Sequence, residues 1–344
     1  MINSKLDIFV IGGGAFGTTL ASTLANNSNK VAICVRTQEQ AHEINQQHRN
    51  KRYLGDAPLA KNLEAICNLE EGIKRAKVLL MAIPAQSFRS VAAVVGEHVM
   101  GDQIIVHATK GLELGTYKTM SEIIREETCV RKIGVLSGPN LAKELIINHP
   151  SGALVASRYP EVWENVQKLF LGSPMKIFRG KDVIGTEIAG SFKNIVALAA
   201  GIADGMGYKD NTKSLIVTRG FSEMARYGAA LGADPLTFGG LAGIGDLMAT
   251  CHSTLSRNRS VGEKIGQGEN WQEVVAKLGS VAEGVPTTKA VYEGAQVLKI
   301  KLPIVESLYN LLYSNSKLDE ITQSLMTLPS GFEISKFDLA PKDF

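Results

Sequence analysis

The chain has 344 residues, 44% of them hydrophobic and 21% charged, so it is long enough for about two domains and apolar enough to bury a large aliphatic core. Lys and Arg total 37 against 34 Asp and Glu, a net charge of +3 with no long run of either sign, which argues against nucleic acid or an anionic membrane as the main partner. Cys34, Cys67, Cys129 and Cys251 are scattered without C-x-x-C spacing or histidines at ligand intervals, which argues against a disulfide framework or a zinc site, and no metal is expected.

The apolar run at the amino terminus is too short and too early for a secretory signal, and a cytoplasmic protein is expected. Ile8 to Ile11 reads as a strand that stops at Gly12-Gly13-Gly14-Ala15-Phe16-Gly17, after which Phe16, Leu20 and Leu24 recur at helical spacing. Further strands are predicted at Val31 to Val35, Val78 to Ile83, Ile104 to His107 and Ile133 to Leu136, with Ala153 to Ala156 and Met175 to Phe178 as extensions of the sheet. Strands alternating with helices in this way imply a parallel sheet covered on both faces. Beyond about Asp182 the strand pattern ends. Val183 to Ala203 is a long Ala- and Gly-rich stretch, broken at Gly201 and read as a buried helix rather than a membrane span. The fold class is therefore α/β, with a Rossmann-like, mostly parallel, doubly wound sheet over residues 1–181 and an all-helical substrate or catalytic domain over 182–344.

Gly12, Gly14 and Gly17 carry chemistry because of where they stand, between a strand and a helix at the start of a βαβ unit. The first glycine permits the tight turn, the second lets the backbone approach a pyrophosphate, and the third lets helix and strand pack closely. About 20 residues on, where an acidic residue would hold the ribose 2′-hydroxyl of NAD, the chain has Arg36 followed by Thr37. A cation there pairs with a 2′-phosphate, which favours NADP(H) and leaves NAD(H) as an alternative. An exposed arginine at a strand end is the plainer reading.

In open α/β sheets ligands lie outside the carboxyl ends of the strands, where Lys110, Gly138 and Asn140 fall. Lys193 lies in Gly190-Ser191-Phe192-Lys193-Asn194-Ile195, inside the most apolar helical stretch. A lysine buried there either pairs with a carboxylate in a structural ion pair or loses its proton readily enough for general acid/base work. Asp246 is the candidate partner, with Thr250 one helical turn further along the same face. Ser256-Arg257-Asn258-Arg259 joins an N-cap serine to two guanidiniums and an amide before another helix; the cluster suits a phosphate, although taken alone such a feature is more often a solvated turn.

Taken together, Val10 to Thr18, Ala108-Thr109-Lys110-Gly111-Leu112, Ser137-Gly138-Pro139, Ala142-Lys143-Glu144, Phe192-Lys193-Asn194, Gly243-Ile244-Gly245-Asp246-Leu247, Thr250-Cys251, Ser256 to Arg259 and Glu283-Gly284 resemble the soluble, bacterial-type NAD(P)-dependent glycerol-3-phosphate dehydrogenases in order and spacing. The resemblance implies reversible reduction of dihydroxyacetone phosphate to sn-glycerol 3-phosphate, a precursor of phospholipids. It implies Lys193 as the proton donor and acceptor at C2, with Lys110, Asn194, Asp246 and Thr250 around the reacting oxygen. Arg257 and Asn258 would hold the substrate phosphate, with Gly138, Asn140 and Ser256 near the substrate. Ala15, Phe16, Arg36, Lys110, Ala142, Arg257, Val281 and Glu283 would contact the cofactor, alongside the three motif glycines. A homodimer is expected.

The chain departs from the family pattern at three places: Asn140 stands where Ser or Thr is common, Ala15 where serine is frequent, and Gly55 closes an Arg52-Tyr53-Leu54 segment that usually ends in proline. Two other readings compete. A 6-phosphogluconate or β-hydroxyacid dehydrogenase relative also joins such a domain to helices and uses a lysine. A sensor would bind the dinucleotide without turnover, and would have no need of Lys110, Lys193 and Asp246 together.

Overall fold

The first apolar run forms β1 (Leu6–Ile11), in which successive side chains from Ile8 to Ile11 enter different cores: Ile8 and Val10 one, Phe9 and Ile11 the other. That period of two is the pleat of a strand buried on both faces, and it explains why the run reads as continuously apolar. The computed structural model describes residues 5–277, 282–314 and 316–318; Val281 lies outside them. The remaining strands are β2 (Val31–Cys34), β3 (Glu64–Ile66), β4 (Ala76–Met81), β5 (Ile104–His107), β6 (Lys132–Ser137), β7 (Ser151–Ser157) and β8 (Met175–Gly180).

They make one sheet in the order β3-β2-β1-β4-β5-β6-β7-β8. Every neighbouring pair is parallel except β6 with β7. One face is covered by Leu20, Leu24 and Ala25 of the helix Ala15–Asn26 and by Val162, Val166 and Phe170 of Pro160–Phe170. The other is covered by Ile73, by Phe88, Ala92 and Val95 of the helix Phe88–His98, and by Ile123 and Ile124 of Met120–Glu127. Full burial of a side chain the size of Phe170 on one face or Phe88 on the other is worth ~1.5–3 kcal/mol, so each face carries a core of its own. The sheet is thus doubly wound, and it contains one strand, β3, that periodicity alone does not reveal.

The described chain divides into two compact units, the residues up to Thr109 with Met120–Val183, and Lys110–Thr119 with the residues from Ile184 onward. The second unit is helical and is built on Val183–Gly205, of which an 18-residue window is 94% buried. By length and composition this helix would suffice to cross a bilayer. Its surroundings decide otherwise: Phe192, Val196, Leu198 and Ala200 pack with Met224 and Tyr227, with Leu247 and Cys251, with Val261 and Ile265, and with Val291 and Val305. A helix apolar on every side is one surrounded by other helices.

Candidate active site

The glycine turn after β1 leaves little freedom of sequence. Gly12 has φ +126°, and a Cβ there would lie 2.4 Å from the Ala82 carbonyl oxygen; one at Gly17 would lie 2.0 Å from the Gly12 carbonyl oxygen. Gly14 is different, for a Cβ there would meet nothing within 4 Å. It stands at the N-cap of Ala15–Asn26 and no side chain caps that end, so open space adjoins the amide donors of the first turn. A helix start of this kind takes an anionic group. Ala15 adds no side-chain bond, and Phe16 is half-buried beside it.

Two residues without any local sequence signal set this loop. The Gly13 carbonyl accepts from Gln40 Nε2 at 2.7 Å and from Asn50 Nδ2 at 3.1 Å, and buried Asn50 also donates to Thr18 Oγ1 at 2.8 Å. Pinning that carbonyl leaves the neighbouring amides to face a ligand. At the end of β2, exposed Arg36 donates from Nη2 to the Tyr53 phenol at 3.4 Å, and the Arg52 guanidinium lies 5.4 Å from the Tyr53 ring centroid. Both arginines line a cavity of about 540 Å³ together with Thr37, Glu39 and Glu43. Gly55 closes this segment at φ +63°, outside what a proline ring permits, so the loop has a geometry that the usual proline would not allow.

Past β6, Gly138 has φ +145°, and a Cβ on it would lie 2.9 Å from the Gly152 carbonyl oxygen. Asn140 Oδ1 accepts from Ser151 Oγ at 2.9 Å, and its buried Nδ2 has no hydrogen-bond partner among the described residues. Ala142, half-buried, opens the short helix Ala142–Leu145.

In the helical unit a single carboxylate joins two lysines. Lys193 Nζ donates to Asp246 Oδ1 at 2.6 Å and to Thr250 Oγ1 at 2.8 Å, while Lys110 Nζ donates to Asp246 Oδ2 at 2.6 Å. Thr250 Oγ1 in turn donates to the Asp246 carbonyl at 2.7 Å, which fixes where its lone pairs point. The Asp246 side chain is 2% exposed, that of Lys193 9% and that of Lys110 16%. Two cations around one anion leave an excess positive charge at low dielectric. Burial pulls the Lys193 ammonium down to about 8; Lys110 pushes the same way and Asp246 opposes both. Asp246 begins the helix Asp246–His252 directly after a π-helical turn, Leu241–Gly245, an irregularity that often marks sites where a side chain is re-aimed.

Asn194, next to Lys193, accepts at Oδ1 from Asn258 Nδ2 at 2.9 Å, and Asn258 Oδ1 accepts from the Gly284 amide at 2.9 Å. Ser256 caps the helix Arg257–Gly266 by accepting from the Arg259 amide at 3.3 Å. Arg257 opens that helix with its side chain exposed, and Glu283 immediately precedes Gly284–Leu298. The structure therefore brings Lys110, Lys193, Asp246 and Thr250 into one cluster, and Asn194, Asn258 and Gly284 into an adjoining chain of hydrogen bonds. Among the described residues no group of three or more His, Cys, Asp or Glu is arranged to hold a metal ion.

Comparison with known proteins decides among dehydrogenases. Residues 7–162 match the model of the N-terminal part of NAD-dependent glycerol-3-phosphate dehydrogenase, and residues 182–323 that of its C-terminal part. The chain belongs to the glycerol-3-phosphate dehydrogenase family. A glycerol-3-phosphate dehydrogenase [NAD(P)+] of Macrococcus caseolyticus is 43% identical over 93% of this chain and 98% of its own length. One from Enterococcus faecalis is 42% identical over 97% of this chain and 99% of its own. The crystal structure of glycerol-3-phosphate dehydrogenase from Coxiella burnetii superposes with a TM-score of 0.90 at 31% identity, covering 94% of this chain and 99% of that one. Membership of the glycerol-3-phosphate dehydrogenases removes the 6-phosphogluconate and β-hydroxyacid alternative.

Proposed function

We propose that this chain interconverts dihydroxyacetone phosphate and sn-glycerol 3-phosphate with NADP(H) as the favoured cofactor, Lys193 moving the proton at the C2 oxygen. The observation that carries the reading is Asp246, a buried carboxylate that holds two ammonium groups at 2.6 Å each, one of them from the helix Val183–Gly205. Burying three charges costs several kcal/mol per ion unless they are well paired. A sensor gains nothing from that cost, whereas a carbonyl reductase needs positive charge where an oxyanion develops.

The glycine turn, with its open helix N-terminus, fits the pyrophosphate of a nicotinamide dinucleotide, which when bound supplies or accepts a hydride at C2. In reduction, Lys193 Nζ donates its proton to the C2 oxygen as negative charge gathers there. Lys110 stabilises the same charge, and Thr250 and Asp246 hold the Lys193 ammonium in one orientation. In oxidation the neutral Lys193 amine takes the hydroxyl proton. A lysine drawn down to about 8 is poised for both directions near neutral pH. Arg257 and Asn258, at the start of their helix, hold the substrate phosphate, with Gly138, Asn140, Asn194 and Ser256 as further substrate contacts. Phe16, Ala142, Lys110, Arg257 and Glu283 serve the cofactor.

For the 2′-phosphate of NADP(H) the supporting feature is the cavity beside Arg36 and Arg52. The carboxylates that share it are engaged locally: Glu39 by its own amide and the Thr37 hydroxyl, Glu43 by the Lys51 amide at 3.0 Å. The two guanidiniums are held by a phenol and a ring face, weak partners that a phosphate displaces. Family resemblance further supports a cytoplasmic homodimer that feeds phospholipid synthesis.

Cofactor oxidation followed by absorbance, with dihydroxyacetone phosphate against dihydroxyacetone and NADPH against NADH, tests the reading. Turnover is expected with the phosphorylated ketone alone and faster with NADPH, and Arg36→Asp is expected to turn the preference toward NADH. Equal turnover of the unphosphorylated ketone would remove the phosphate site, and an unchanged cofactor ratio in Arg36→Asp would remove Arg36 from 2′-phosphate recognition.

A further inference from the structure

The helix that carries Lys193 also carries Asp204, a half-buried carboxylate about three turns further on. Its side chain is 12% exposed and again stands between two cations: Lys213 Nζ at 2.6 Å, from the first turn of the helix Asp210–Ala230, and Arg259 Nη2 at 2.7 Å, from Arg257–Gly266. Arg259 meets Asp204 Oδ2 off the hydrogen-bonding direction, so the contact is a matter of charge. The proton and hydride chemistry uses none of these three residues.

The same two helices touch backbone to backbone. A Cβ at Gly201 would lie 2.0 Å from the Arg259 carbonyl oxygen, and one at Gly205 2.0 Å from that of Glu263. From the other side, a Cβ at Gly262 would lie 2.1 Å from the Leu198 carbonyl oxygen, and one at Gly266 2.3 Å from that of Ile202. Glycines at four-residue spacing on both helices thus set how near they come. Close approach sets the distance between the helices, and polar side chains at the crossing set their rotation: Asn258 is held by Asn194 and Gly284 on one side. Asp204 adds a second restraint, because it takes hold of Arg259, whose amide is the one Ser256 caps and whose neighbours are Arg257 and Asn258.

We propose that Asp204 is a positioning residue for phosphate recognition: through Arg259 it holds the Ser256–Asn258 turn at the angle that binding of the substrate phosphate requires. The proposal rests on the assignment of Arg257 and Asn258 to that phosphate. Shifts of about an ångström in a binding group cost up to ~10²-fold, and a loss confined to binding appears in KM rather than kcat.

Steady-state kinetics on Asp204→Asn, Asp204→Glu, Arg259→Gln and Arg257→Ala separate the possibilities. Asp204→Asn is expected to raise KM for dihydroxyacetone phosphate about tenfold, with kcat changed by less than about twofold. Asp204→Glu restores most of the loss. Arg259→Gln, which removes the charge, is expected to repeat the KM effect and serves where Asp204→Asn folds poorly. Combined with Arg257→Ala, Asp204→Asn is expected to add little, because both act on one contact. A lowered melting temperature with unchanged KM, or a uniform fall in kcat, would make the cluster merely structural and overturn the proposal. If Arg257→Ala itself leaves KM unaltered, the phosphate assignment falls and the proposal falls with it; if only Arg257→Ala raises KM, the proposal fails alone.

Discussion

Asp246 and Lys110 act on the acidity of Lys193 in opposite senses, and that opposition is measurable. Lys193 must be protonated to donate, so kcat/KM for ketone reduction is expected to fall as pH rises through about 8. Replacing Lys110 by Met removes a like charge, so the limb moves to higher pH. Asp246→Asn removes the attractive charge and moves it to lower pH, and each variant also loses ~10²-fold or more in rate as charge stabilisation is lost. pH profiles of the two variants and the parent decide the matter; shifts of the same sign in both would contradict the assigned cluster. Lys193 was legible in the sequence because a lysine among Phe192, Ile195 and Val196 has nowhere to be solvated. The meeting of Lys110 with Asp246 was not, since it joins residues 136 positions apart and nothing local records it. Gln40 and Asn50 escaped for a similar reason: each acts by holding a carbonyl, a task that many polar side chains perform.

At the scale of elements, a buried acid holds one helix to another. Glu223 accepts from the Ile304 and Val305 amides at 2.7 and 3.2 Å, satisfying donors at the start of Pro303–Tyr313. Burial pushes its carboxyl up to about 7, against the pull of those two amides and of Arg226 and Arg219. The folded chain therefore holds this proton more tightly than the unfolded chain, and stability declines as pH rises from about 4.5 to about 7 before levelling. Glu223→Gln removes that titration, and the gap in stability between parent and variant should change by on the order of 3 kcal/mol across the window. Thermal melts at several pH values would show it; parallel curves would exclude Glu223 as the source. β-branched runs revealed β1, β2, β4, β5 and β6 because strands buried on both faces are nearly all apolar. β3 stayed hidden, for Glu64-Ala65-Ile66 is too short to alternate and lies at the sheet edge. The reversal between β6 and β7 was equally invisible, since composition carries no direction.

At the scale of the molecule, a ligand that binds only the folded chain stabilises it in proportion to the logarithm of its concentration over Kd. NADPH at a hundredfold excess over Kd is expected to add ~2.7 kcal/mol, and NADH at the same concentration less. Melting temperatures with each cofactor test this, and equal shifts would indicate that Arg36 and Arg52 do not discriminate. The α/β class was plain from the alternation of strands and helices, and the helical second half from the loss of that alternation after Asp182. The segment Lys110–Thr119 had no such signature. It follows β5 in the chain yet belongs to the helical unit. Its placement bears on how such an enzyme is inherited or rebuilt. A gene cut once at the junction near residue 183 would yield a carboxyl-terminal cassette lacking one of its own lysines, so exchange of whole modules between relatives must either carry the interior piece along or match its partner residue by residue.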